Sequence, residues 1–88
     1  MKAPGTAGAP TFTPRARALA LSVLESSARR HGVTVAAARS SRVGAAVAAR
    51  AEWFRVVRDS WALSISDTAR ICGADRTTVI HALRRLDP

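Results

Sequence analysis

At 88 residues and 9.3 kDa the chain has room for one small domain with a single core, which excludes an ATPase or a dinucleotide-binding unit alongside anything else. Fourteen basic residues against six acidic ones leave a formal charge of +8 and a pI of about 11.8, an excess that points to a polyanionic partner, nucleic acid first. A hydrophobic content of 48% excludes a wholly disordered basic tail, and the single cysteine excludes a disulfide framework or a multi-cysteine zinc site and fits a reducing cytosol.

Residues 1–13 set prolines among Gly, Ala and Thr, a composition that cannot bury enough apolar surface to offset ordering entropy, so a flexible N-terminal arm is expected there. The order of small and basic residues is wrong for a secretory signal. From Pro14, Ala16, Leu19, Ala20, Val23, Leu24 and Ala28 recur at spacings of three and four, which predicts an amphipathic helix ending before Gly32. Its longest apolar run, Ala18 to Leu24, falls far short of the roughly 20 residues that span a bilayer, so a soluble protein without a membrane partner is expected. Thr34 is placed to cap a short helix from Val35 to Arg39, and the polar run Ser40, Ser41, Arg42 separates it from the next element.

From about Val43 to Trp61 a long helix is predicted, with Val47, Ala51, Phe54, Val57 or Arg58, and Trp61 on one stripe, widened by Trp53 and Val56. Both tryptophans read as core. No strand-like alternation follows, so the expected fold is all-α: five helical pieces in one domain over residues 14–88.

The last quarter carries the most information. Ala69, Gly73 and Val79 fall at the offsets of a helix-turn-helix: a small residue where the helices cross, a glycine for the positive φ of the turn, and an apolar anchor under the second helix. Ser64 or Ser66 can cap the first helix and Asp75 the second. The first residues of the second helix, Arg76, Thr77 and Thr78, with Asp75 at the lip, would then meet the major groove. There Arg can fork onto guanine, Thr can meet a thymine methyl or a phosphate, and Asp can accept from a cytosine amine.

The stretch Asp75-Arg76-Thr77-Thr78-Val79-Ile80-His81-Ala82 resembles the Asp-His-Thr-Thr-Val-Leu-His-Ala signature of the C-terminal DNA-binding domain of the bacterial replication initiator DnaA, with Arg76 in place of the family's histidine. The likeness runs more thinly through residues 14–86: Val33 to Arg39 is similar to the family's short second helix, Arg39 to Arg42 to its basic loop, and Val47 to Arg58 to its long third helix. It implies a Trp-repressor-like helical domain. It also implies that Arg42 or Arg39 enters the minor groove, that Ser41, Arg50 and His81 hold the phosphate backbone, and that Asp75, Arg76, Thr77 and Thr78 read bases. Because the initiator's ATPase and oligomerisation parts are absent, the chain looks like a free-standing DNA reader. Such readers resemble the DNA-binding half of activators of gene-transfer-agent and prophage-like clusters, which work with a sigma-like partner and RNA polymerase in the bacterial cytoplasm, at the nucleoid.

The remaining polar residues have plainer readings. His31, His81 and Cys72 show no spacing for a closed metal set, so neither metal nor cofactor is expected, and Cys72 reads as a small buried hydrophobe. Arg84 and Arg85 suit a helix C-terminus as well as they suit a phosphate, while Arg15, Arg29 and Arg30 read as a solvated face. No nucleophile and base can be paired, which argues against an enzyme. A small basic RNA-binding or ribosome-associated protein and a helix-turn-helix protein adaptor stand as alternatives to the duplex reader, although the lack of Tyr removes one stacking platform for RNA. Oligomeric state is left open.

Overall fold

The computed structural model describes residues 12–86. Among them are five helices and no strand: α1 (Pro14–Arg30), α2 (Val35–Ser40), α3 (Gly44–Trp61), α4 (Ile65–Cys72) and α5 (Arg76–Leu86). The expected all-α fold is what forms. Of the expected arm, residues 1–11 lie outside the described part, whereas Phe12 packs against the core and Thr13 caps α1 by accepting from the Ala16 amide at 3.1 Å.

Local chemistry sets the helix ends. Thr34 accepts from the Ala37 amide at 3.0 Å to start α2, and Ser64, rather than Ser66, accepts from the Asp67 amide at 3.0 Å to start α4. Three helices stop in the same way, with a left-handed residue whose successor folds back over the last turn. Gly32 (φ +69), Ala62 (φ +51) and Gly73 (φ +69) take that conformation. Beyond them, the amides of Val33, Leu63 and Ala74 donate to the carbonyls of Ala28, Arg58 and Ala69, five residues back in each case. The side chains of Val33, Leu63 and Ala74 then pack against the core, so each stop also aims the chain inward.

Helix α3 is the central column, in contact with all four other helices. Its buried residues include Ala46, Ala49 and Ala51 beside Trp53, Phe54 and Val57, and it faces Ala20, Leu24 and Ala28 of α1 and Ala38 of α2 in one cluster. Alanines at these positions let backbones approach closely enough for side chains to reach backbone across helices. Ser27 Oγ, fully buried, donates to the Ala49 carbonyl at 2.7 Å, and Trp53 Nε1 donates to the Ala20 carbonyl at 2.8 Å. Trp53 also stacks on Phe54 with ring centroids 5.1 Å apart.

Trp61 departs from expectation. It ends α3 at the rim of an apolar recess of about 250 Å³ shared with Phe12, Ala16, Leu63 and Ile71, and it keeps 39% of its surface exposed where Trp53 keeps 2%. Helical spacing put both on the inner stripe, but a residue in the final turn has fewer neighbours to cover it.

Backbone strain gives a paired test. Alanine at Gly73 would bring its Cβ no closer than 3.9 Å to Arg39 Nη2, so the cost is that of the positive φ alone, and Gly73→Ala should lower stability in urea titration by about 1 kcal/mol. Ala62→Gly removes the same strain and should raise stability by up to about 1 kcal/mol.

Candidate nucleic-acid interface

Helices α4 and α5, joined through Gly73, Ala74 and Asp75, form a helix-turn-helix pair. Ala69 and Ile71 of α4 and Val79, Ala82 and Leu83 of α5 are buried in the common core. Val79 is wholly buried, while the four residues before it, Asp75, Arg76, Thr77 and Thr78, are all exposed. The first turn of α5 therefore carries its polar residues outward on a backbone fixed from below. Asp75 precedes the helix and its carbonyl accepts from the Val79 amide at 3.1 Å. His81 is exposed one turn beyond Thr77, and Arg84 and Arg85 follow a turn later, so polar side chains continue along the outer face of α5, with Ile80 part-exposed among them and Leu86 exposed at the end.

Of the residues expected in the minor groove and on phosphate, Arg39 lies in α2, Ser41 and Arg42 in the loop before α3, Arg50 in α3 and His81 in α5, and the fold treats them differently. Arg42 is exposed. Arg39, also exposed, turns back so that its guanidinium carbon lies 5.9 Å from the Trp53 ring centroid, near the helix-turn-helix turn at Gly73. Ser41 Oγ accepts from the Val43 amide at 3.1 Å, which shapes the loop. Arg50, expected on the DNA backbone, is engaged inside the domain: Nε donates to the Ala38 carbonyl at 2.8 Å and Nη2 to the Ser41 carbonyl at 2.6 Å. It thereby satisfies carbonyls that α2 leaves open at its C-terminus. Burial lowers its pKa below the ordinary guanidinium value, as befits a charge partly withdrawn from water.

Other arginines are spent on carboxylates. Arg30 and His31 Nε2, the latter at 2.9 Å, both meet Glu52 and tie the end of α1 to α3; Arg58 pairs with Asp59 at 3.2 Å and Arg70 with Asp67 at 2.8 Å. Among the described residues, none of these pairs involves Arg39, Arg42, Arg76, Arg84 or Arg85. No group of three or more His, Cys, Asp and Glu residues able to hold a metal ion occurs among the described residues, and none of the described helices is long and apolar enough to cross a membrane. Cys72 is buried, and desolvation pushes its thiol up to about 12 against a smaller opposing pull from the Arg39 charge.

Set against protein-family models, curated proteins and solved structures, the chain matches none. What the surface can do follows from its own groups. A forked donor, two hydroxyls with methyl groups, and a carboxylate acceptor stand on consecutive residues of one exposed turn, and a second basic loop emerges from the neighbouring helix junction. Sequence spacing did not single out Arg17 of α1, which lines the same cleft as Arg39 and Gly73. Its place depends on how α1 docks, and no local pattern announces that.

Two measurements test this account of the buried groups. Arg50→Ala should lower stability by about 1–2 kcal/mol, because two charge-assisted hydrogen bonds to helix-end carbonyls are lost from a part-exposed site. The Cys72 thiol stays protonated in the folded state above the pH at which it ionises when unfolded, so its contribution is full below about pH 9 and is lost as pH rises towards 12. The chain has no Tyr and a single Lys, and burial lowers the Arg50 pKa as well, so the Cys72 part is read as the difference between wild type and Cys72→Ala. The unfolding free energy from urea titration should fall through that window by on the order of 1 kcal/mol per pH unit, and Cys72→Ala should flatten the slope.

Proposed function

We propose that this protein is a sequence-specific duplex DNA-binding protein that acts as a transcription regulator. The observation that carries the reading is the exposure of Asp75, Arg76, Thr77 and Thr78 on a turn anchored by the wholly buried Val79. In the major groove, Arg76 forks onto a guanine edge, Thr77 and Thr78 meet a thymine methyl or a phosphate, and Asp75 accepts from a cytosine amine. Arg42 reaches into the adjacent minor groove, with Ser41 and His81 on phosphate. Arg50 acts at one remove, holding the loop that carries Arg42 by its bonds to Ala38 and Ser41.

The net charge of +8 supports the choice of a polyanion. Likeness to the initiator's DNA-binding domain supports regulation of a phage-like or gene-transfer-agent cluster in the cytoplasm, together with RNA polymerase or a sigma-like partner. A single module of this kind buries roughly 600–1,000 Å² on DNA, so a second copy, an adjacent site or that partner would raise occupancy.

Selection of bound fragments from a random duplex library tests the reading directly, with a recovered motif as the expected result. On that motif Arg76→Ala should cost about 1–3 kcal/mol at particular base pairs and relax preference there, while affinity of the wild type falls steeply with salt. A library that returns no motif would remove the base-reading role. Tighter binding to single-stranded RNA at equal salt would transfer the site to RNA, and binding to neither would leave an adaptor.

A further inference from the structure

The cleft between α1 and the helix-turn-helix turn, about 160 Å³ and half open, joins residues far apart in the chain: Arg17 and Leu21 from α1, Arg39 from α2, Trp53 from α3, and Cys72 and Gly73 from the end of α4. Two arginines line it and no carboxylate residue does. Neither Arg17 nor Arg39 is among the ion pairs of the described residues. Two like charges at one cleft without an acid between them favour an anion there. The rest of the lining is mostly apolar, with Ala20, Leu21 and Cys72 beside the Trp53 ring.

We propose that this cleft seats one sugar–phosphate unit of the duplex backbone, with Arg17 and Arg39 on the phosphate and the apolar floor against the deoxyribose. The assignment rests on the duplex-binding reading and adds to it an anchor contributed by α1. A bare inorganic anion would satisfy the two guanidinium groups and leave the floor uncovered, whereas a sugar–phosphate unit uses both. The chain separation is compatible with this occupant. Gly73 lines the cleft three residues before Arg76, a reach of at most about 11 Å, or roughly three base-pair rises from the reading turn. Arg39 is held in place by the Trp53 face, so less freedom is lost when a phosphate arrives.

The test uses the full chain, the duplex recovered by selection, and a scrambled duplex of equal length. Arg17→Ala and Arg39→Ala should each weaken both duplexes by the same factor, roughly 5–10-fold at 0.1 M salt, and reduce the salt slope by about 0.9, with base preference unchanged. Replacing single phosphates by neutral methylphosphonates should then find one position whose loss weakens wild type and leaves Arg17→Ala unaffected. Arg17 is exposed on α1, so its removal should leave the urea midpoint in place and report binding alone. No such coupled position, or an unchanged salt slope in Arg17→Ala, overturns the seat even if Arg76→Ala still alters base preference. Uniform weakening by Arg17→Ala without any preference between duplexes keeps the seat and removes the base reading. A saturating response of Trp53 fluorescence to inorganic phosphate in Trp61→Phe, with duplex affinity unaffected by Arg17→Ala, would assign the cleft to a small free anion instead.

Discussion

The indole of Trp53 is where the helices of this domain are tied together. It belongs to the central helix, gives its N–H to the Ala20 carbonyl of α1 at 2.8 Å, stacks on Phe54, and lies under the Arg39 guanidinium of α2. The same ring lines the cleft that ends at Gly73 of the helix-turn-helix turn. A buried indole whose donor is satisfied contributes both a large apolar area and a directional bond, so it fixes distance and rotation between helices at once. The geometry of the surface above it, with the exposed first turn of α5 and the loop carrying Arg42, follows from that fixed point.

The alanine content of the interior has a structural sense in this setting. Leu24, Phe54, Val57 and Val79 fill volume, while Ala46, Ala49 and Ala51 set spacing. Where small residues face one another, backbones come close enough for Ser27 to bond a carbonyl of the neighbouring helix. In so small a domain such bonds matter, because a single core of this size leaves only a modest surplus over ordering entropy. The arginines divide along similar lines. Arg30, Arg50, Arg58 and Arg70 are engaged within the domain, and those on the outer face of α5 and at Arg42 are not among those contacts.

What the sequence disclosed, and what it kept hidden, tracks the separation of the interacting residues. The caps at Thr34 and Ser64 and the stops at Gly32 and Gly73 involve residues within five positions of one another; local pattern places Thr34 and the two glycines and narrows the α4 cap to Ser64 or Ser66. The Ala69, Gly73, Val79 spacing was legible for the same reason, and with it the exposed turn from Asp75. By contrast, Trp53 meets Ala20 across 33 residues and Ser27 meets Ala49 across 22, and no periodicity encodes either. Arg50 is a further case: the family resemblance assigns it to phosphate, and only the docking of α2 on α3 reveals its bonds to the Ala38 and Ser41 carbonyls. Trp61 illustrates another, since periodicity gives the side of a helix on which a residue lies and is silent on whether anything covers it.

The guanidinium character of the outer face has a consequence for control in the cell. Acylation of lysine amines is a common chemical means of cancelling a positive charge, and it has no substrate among the side chains of α4, α5 or the Arg42 loop. Arg42, Arg76, Arg84 and Arg85 carry guanidinium groups, which that chemistry does not reach. Were a polyanion bound here, lysine acylation would leave the charge of this surface untouched, and phosphorylation of the exposed Thr77 or Thr78 hydroxyl would be the route that adds opposing charge.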